Sequence, residues 1–393
     1  MKKVLIIATV SGFLFQFEQE NVRILQSLGY EVHYAANAET ENYLFDSREI
    51  ERLQIRMHPV PIPKSPTKLL AVRRTLRMIT SLIREEGISL IHCHTPVGGV
   101  LGRMAGRSCR DMNVRVIYTA HGFHFFEGAP VPGKWLYHMI EQKMAHDTDA
   151  LVVINREDYQ NTLKFRLKKD GKVYQIPGVG LDTERFQPLT EEQRLEARGK
   201  LNLSEGDFFL VFVGELNENK NPFILLRALD LLKNSDYAGR RIICGICGDG
   251  AAREKLTRQI TEMQLSDAVK MYGYCSPVAP VLGCADAMIF PSRREGLGMA
   301  ALEALAMGIP VIAADNRGTR EYMEHRKNGW VCGPDDAHGY ADGIRFVEGL
   351  DTASREEMKK ACRACVQKFS KDKTAEIMSR VYKVIDDKIS AEM

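Results

Sequence analysis

Glu295 and Glu303 stand with seven residues between them in the run Ser292-Arg293-Arg294-Glu295-Gly296-Leu297-Gly298-Met299-Ala300-Ala301-Leu302-Glu303. An apolar segment, 287–290, ends at Pro291, and Gly296 and Gly298 allow tight backbone and close ligand approach. Helix-forming residues then run from about 298 to 307 and stop at Gly308, with Pro310 beyond. The N–H groups at such a helix start can hold a phosphate. One carboxylate before the helix and one a little over a turn into it can meet hydroxyls on either side of the phosphates. That suits a sugar–diphosphate–ribose ligand. A solvent-facing glutamate beside an incidental one leaves the same trace, so the spacing alone keeps both readings open.

Lys220 lies in a turn-forming segment, Asn217-Glu218-Asn219-Lys220-Asn221-Pro222, after an apolar run that ends at Val213. A fixed cation there would stabilise a departing nucleoside diphosphate; a solvated surface lysine is the alternative. His121 follows the apolar run 114–120 and precedes Gly122, which puts it at the carboxyl end of a strand. His124 is a weaker candidate. His92 and His94 flank Cys93 on one strand and are expected to face opposite ways, so that only one, taken as His94, reaches a ligand. The histidines show no metal-ligand spacing, and the chain is read as lacking an Asp-x-Asp cation motif. No Asp or Glu stands out as a general base among the strand-end motifs of the first half.

Groups at strand ends need a sheet to hold them. Apolar runs at 4–9, 30–36, 90–94, 114–120 and 151–155 alternate with amphipathic helical stretches, which implies parallel sheet with crossover helices. Proline and glycine cluster at Ile176-Pro177-Gly178-Val179-Gly180, and a second alternation follows at 208–213, 241–247, 269–272, 287–290 and 311–314. The expected domains are 1–185, 186–370 and a C-terminal helix, 371–393, that crosses back to the first. Two doubly wound sheets would face a central cleft beyond the carboxyl ends of their strands, where such sheets bind ligands.

The 393 residues are 45% hydrophobic and 27% charged, which rules out disorder, collagen-like repeats and disulfide-stapled mini-folds. A net charge of +3 does not call for nucleic acid, and no aromatic platform for bases accompanies the basic residues. No apolar run reaches the roughly 20 residues of a membrane span. The start, Met1-Lys2-Lys3 and then 4–10, is read as a buried strand ending in a glycine turn rather than an export signal, because Ser11 and Gly12 interrupt it. Nine cysteines in mostly apolar surroundings fit reduced thiols, and the Cys244/Cys247 and Cys362/Cys365 pairs are read as packing rather than zinc ligands.

The segment 64–84 carries Lys64, Lys68, Arg73, Arg74, Arg77 and Arg84 and no acidic residue. On a helix, Leu69, Val72, Leu76, Ile79 and Ile83 share a face that packs on the sheet, with the arginines opposite. The default is a solvated outer face. A single-sign face can also dock on anionic lipid, at about 1 kcal/mol per basic residue.

Taken together, these motifs resemble glycosyltransferase family 4, whose members are retaining, nucleotide-sugar-dependent enzymes of the GT-B fold. The resemblance rests on the Glu295/Glu303 frame, Gly12, the run His92-Cys93-His94-Thr95-Pro96, Tyr118-Thr119-Ala120-His121-Gly122, Val213-Gly214-Glu215-Leu216 before Lys220, Gly248-Asp249-Gly250 and Gly273-Tyr274. It covers essentially the whole chain. The run His121-Gly122-Phe123-His124-Phe125-Phe126 is similar to the branch that builds capsular, exopolysaccharide and lipid-linked glycans. The resemblance implies that Glu303 binds the ribose and Glu295 the transferred sugar, that the amides of Gly296, Leu297, Gly298 and Met299 meet sugar or phosphate oxygens, and that Gly273-Tyr274 faces the base. Gly12, Gly214, Gly248 and Gly250 complete the donor site. His121, Lys220 and Glu295 become the catalytic set, with the leaving phosphate itself taking the acceptor's proton. Many members carry Arg after the glycine matching Gly214. Here it is Glu215, so one diphosphate contact is absent or comes from elsewhere, with Arg293 and Arg294 as substitutes.

The leading expectation is transfer of a hexose or N-acetylhexosamine from a UDP-sugar to a polyprenyl-diphosphate-linked saccharide, without a metal or other cofactor. The enzyme is expected to be cytoplasmic and to sit on the anionic inner face of the plasma membrane, with His94, Arg73, Arg74 and Arg77 on the acceptor and membrane side. The competing readings are a nucleotide-sugar epimerase on the same fold, a sugar-nucleotide-binding subunit without catalysis, which Glu215 favours, and a two-lobed periplasmic binder.

Overall fold

A computed structural model describes residues 1–39, 47–65, 68–128 and 131–392. The chain divides into two compact units, residues 1–180 with 371–393, and residues 181–370. Each is built on one parallel sheet.

In the first unit the strands are β1 (Lys2–Val10), β2 (Tyr30–Asn37), β3 (Arg56–Pro59), β4 (Leu90–His94), β5 (Arg115–Ala120), β6 (Ala150–Val153) and β7 (Lys172–Gln175), in the order β3-β2-β1-β4-β5-β6-β7. Val4 to Ala8 are fully buried because helices cover both faces of a parallel sheet, which is why β1 is an unbroken apolar run. Val4 pairs with Val32 on one side and with Leu90 on the other, so the order reverses between β1 and β4. The turn out of β1 is made at Ser11. Gly12 is buried as the first residue of the helix Gly12–Phe17, not as a turn glycine.

The second unit holds β8 (Phe208–Val213), β9 (Ile242–Cys247), β10 (Val269–Gly273), β11 (Ala287–Phe290), β12 (Val311–Ala314) and β13 (Gly329–Cys332), in the order β10-β9-β8-β11-β12-β13. Its core joins Phe208, Leu210 and Phe212 to Ile289, Ile312 and Tyr340. The order reverses between β8 and β11, which makes these two strands the switch point of the sheet. That opens a crevice at their carboxyl ends.

The helix Lys371–Ser390 packs on the first unit, burying Met378, Val381, Tyr382 and Ile385. Tyr30 Oη donates to Asp386 at 2.7 Å, and Lys2 pairs with the same carboxylate. The basic helix runs Leu69–Glu86 and buries Thr75, Ile79 and Ile83. Leu69 does not join that face. It is 70% exposed because it occupies the first turn, ahead of the stretch that packs, and Leu70 beside it is 84% exposed. Arg73, Arg74 and Arg77 are exposed, and Arg84 is held by Asp111 at 2.7 Å. Residues 66–67 of this basic segment lie outside the described residues. All nine cysteines are free thiols.

Candidate functional site

In the second unit the strand-end loops are tied to one another in spatial order. Gly214 N donates to Cys247 O at 3.0 Å, Gly248 N to Gly273 O at 2.7 Å, and Leu216 N to Asp249 O at 2.9 Å. A Cβ on Gly248 would lie 1.9 Å from Gly214 O, and one on Gly250, at φ +153°, would lie 2.6 Å from Leu216 O. These approaches explain the Gly-Asp-Gly run: any side chain there pushes the β9 loop off the β8 loop. Gly248→Ala is expected to cost about 3 kcal/mol, near the upper end of ordinary single substitutions. Urea unfolding measures it, and an unchanged midpoint would show that the loops separate freely. Gly273, at φ +69°, turns the chain out of β10 and leaves Tyr274 47% exposed.

The β8 and β11 loops are stitched as well. Arg293 N donates to Asn219 O at 2.8 Å, and Asn219 Nδ2 donates to Arg294 O at 3.0 Å. These bonds set Lys220 Nζ 2.5 Å from Glu295 Oε1 in a partly buried ion pair. Lys220 also lies over the Phe290 ring, 5.7 Å from its centre. Behind Glu295, Asn316 Nδ2 donates to Ser292 O at 2.8 Å and Arg317 Nε to Glu295 O at 3.2 Å. Gly298, at φ +92°, then starts the helix Met299–Ala306; a side chain there would meet Phe290 at 2.9 Å. Leu297 is buried, so main-chain groups are what Gly296-Leu297-Gly298 can offer a ligand.

The residues assigned to the sugar and to the diphosphate are thus brought into contact. Glu303 lies one turn further along. Burial raises its carboxyl to about 7, against the pull of Arg185. Glu215 is exposed. Arg293 is engaged by Asp335 at 2.6 Å and Asn221 at 3.3 Å, which does not favour it as the missing diphosphate cation. Asn219, Arg185 and Arg317 belong to this site and escaped the sequence reading. Arg317 had one legible mark, its place just after the apolar run 311–314.

In the first unit, His94 ends β4, and His121 follows β5. His92 and His94 face the same way, with ring centres 4.1 Å apart. The opposite-face expectation fails because side chains on a strand return to one face every second residue. Both rings are buried, and His94 Nδ1 lies 3.2 Å from His121 Nε2. His92 is held by Thr119 Oγ1 and Tyr382 Oη, each at 2.8 Å. Burial pushes His92 to about 3, His121 to about 4, and His94 well below its ordinary range.

Sequence reasoning missed Glu18, 1% exposed, whose Oε1 is 3.4 Å from His94 Nδ1 and 3.9 Å from His121 Nε2. Its signal was an acid placed directly after the aromatic-rich stretch 13–17. Glu18 and His121 line one narrow cavity with Asn21, Thr119 and Lys371. Glu18, His92 and His94 place donor atoms within 4.8 Å of one another, a spacing that suits a metal ion, yet both nitrogens of His92 are already bonded. His33, His58 and Glu86 form a second such group, where Lys3 and Arg56 already occupy the Glu86 carboxylate.

The Asp-x-Asp reading needs correction, because Asp147-Thr148-Asp149 has that spacing. It stands at the amino end of β6, away from the strand ends that carry His94 and His121. Asp147 pairs with Arg110, and Asp149 pairs with Arg115 and Lys168.

Residues 19–185 match the family described as Glycosyltransferase Family 4, and residues 193–364 match Glycosyl transferases group 1. EpsD of Bacillus subtilis strain 168, provisionally named a glycosyltransferase, is 35% identical over 98% of this chain and 97% of its own. The Escherichia coli UDP-Gal:alpha-D-GlcNAc-diphosphoundecaprenol alpha-1,3-galactosyltransferase is 26% identical over 82% of this chain and 80% of its own. A glycosyltransferase from Rickettsia africae ESF-5 superposes with a TM-score of 0.76 at 20% identity, covering 98% of each chain. Anabaena HepE, solved with UDP and glucose, gives 0.76 at 18%, covering 98% of this chain and 100% of its own.

Proposed function

This chain belongs to glycosyltransferase family 4, an enzyme of the GT-B fold, and from that premise we propose that it moves a hexose or N-acetylhexosamine, with retention, from a UDP-sugar to a polyprenyl-diphosphate-linked saccharide in surface-polysaccharide synthesis. The second unit is the donor side and the first the acceptor side. The observation that carries the donor reading is the Lys220–Glu295 contact at 2.5 Å. In a nucleotide sugar the hexose and the diphosphate meet at the bond that breaks. A carboxylate for sugar hydroxyls and a cation for the leaving phosphate must therefore be neighbours. As that bond breaks, charge grows on the phosphate, where Lys220 and the amides at the helix start stabilise it.

Nucleotide sugars are expected to raise the melting temperature by mass action, UDP-hexoses most, and UDP should be released when a polyprenyl-diphosphate-linked acceptor is added. No shift with any nucleotide sugar would overturn the donor assignment. An epimerised sugar nucleotide formed without acceptor would favour the epimerase reading. Binding without turnover would favour the inactive subunit.

Glu303 gives the site a pH dependence. Its carboxyl ionises near 7 in the folded chain and near 4.5 in the unfolded one, so the protein by itself loses stability as pH rises through that window. Ribose hydroxyls prefer the ionised acceptor, so binding runs the other way. The affinity for a UDP-sugar is expected to rise between about pH 6 and about pH 8, and Glu303→Gln should flatten the curve. Calorimetric titration at several pH values checks it.

Among the described residues no helix is long and apolar enough to cross a membrane. The exposed Arg73, Arg74 and Arg77, with Leu69 and Leu70 one turn ahead, suit a peripheral seat on anionic lipid at the cytoplasmic face. Replacing the three arginines by glutamine is expected to weaken binding to anionic vesicles by about 3 kcal/mol, at about 1 per charge, with no change on neutral vesicles. Co-sedimentation reads it out.

A further inference from the structure

Glu18 lies just beyond the helix Gly12–Phe17, buried inside the first unit. Its Oε2 accepts from Asn21 Nδ2 at 2.6 Å, which turns Oε1 toward His94. The position of the His94 proton follows from burial. His94 Nε2 is enclosed and has no hydrogen-bond partner. A proton there would leave a buried N–H unpaired, which is costly, whereas a bare ring nitrogen costs less. The proton therefore sits on Nδ1, where His121 Nε2 accepts it at 3.2 Å and Glu18 Oε1 lies 3.4 Å away. With Nε2 accepting, neutral His121 must carry its own proton on Nδ1.

The rings have little room to turn. Phe13 stands edge-on to His121, centres 5.0 Å apart, and lies 5.3 Å from His94. His92 packs on the other side of His94, itself fixed by Thr119 and by Tyr382 of the C-terminal helix.

We propose that Glu18 and His94 are positioning residues for His121, holding its proton on Nδ1 and its ring in one orientation, so that Nδ1–H is the donor it offers to a hydroxyl of the bound sugar. This rests on the reading that His121 meets the sugar. Burial supports it, since it keeps the pair uncharged. Glu18 is raised to about 8 and His94 is held far down, so the two meet as neutral groups rather than as an ion pair.

The test is heteronuclear NMR of the full-length protein labelled with 15N-histidine, together with steady-state kinetics. Native His121 should show the Nδ1–H tautomer. His94→Leu and Glu18→Leu should mix the tautomers and lower kcat about tenfold or more, the scale seen when the outer partner of a functional histidine is lost, with donor KM within about twofold. His94→Asn, whose amide N–H can replace Nδ1–H, should restore both. An Nε2–H tautomer in the native protein overturns the proposal, and that measurement needs no variant to fold. So does a tautomer unmoved in both leucine variants. Full turnover in His121→Ala would instead sink the sugar-contact reading while leaving the tautomer result standing.

Discussion

Lys220→Ala is expected to lower kcat by about two to three orders of magnitude, the usual cost of removing one preorganised group from a developing charge. Lys220 is well placed for this. The β8 loop holds it by its backbone, with Lys220 N donating to Asn217 Oδ1 at 2.9 Å, and Glu295 and Phe290 hold its ammonium. UDP affinity should fall too, because the product diphosphate carries the same charge. Lys220→Arg should recover part of the rate, since it keeps the charge but changes its shape. Steady-state kinetics with saturating acceptor checks it. A rate within about fivefold of the native enzyme in the alanine variant would remove Lys220 from the chemistry.

Glu295→Ala is expected to lower kcat by a similar factor, about a hundredfold or more, but with the opposite effect on nucleotide binding. The Glu295 carboxylate neutralises Lys220 at 2.5 Å. Removing it frees the ammonium for phosphate, so UDP should bind as tightly as before or tighter while turnover collapses. This split separates a carboxylate that serves the sugar from one that merely anchors the loop, because a lost anchor would weaken UDP as well. The two alanine effects should not add, since the side chains form one contact. UDP binding that falls in step with kcat in Glu295→Ala would point to loop damage.

The strands were legible because their signal is local. A parallel strand covered on both faces must be apolar along its whole length, as at Val4–Ala8 and Phe208–Val213, and no distant residue is needed to see it. The Glu295/Glu303 frame was legible for a similar reason, since its spacing lies within one loop and one helix. Leu69 was misplaced because periodicity gives the angle of a side chain around a helix but not whether anything lies opposite that turn.

By itself, then, the sequence determined two α/β halves, their parallel strands, and the positions after them where chemistry belongs. Tertiary structure decided which of those positions touch. Lys220 and Glu295 are far apart in the chain and meet because β8 and β11 are neighbours in the sheet. Glu18, His94 and His121 meet because a helix and two strands converge, and burial then disfavours the charged form of each. Pairing partners, protonation and tautomer depend on distances between segments and on the water excluded from them, and neither quantity is written in the local order of residues.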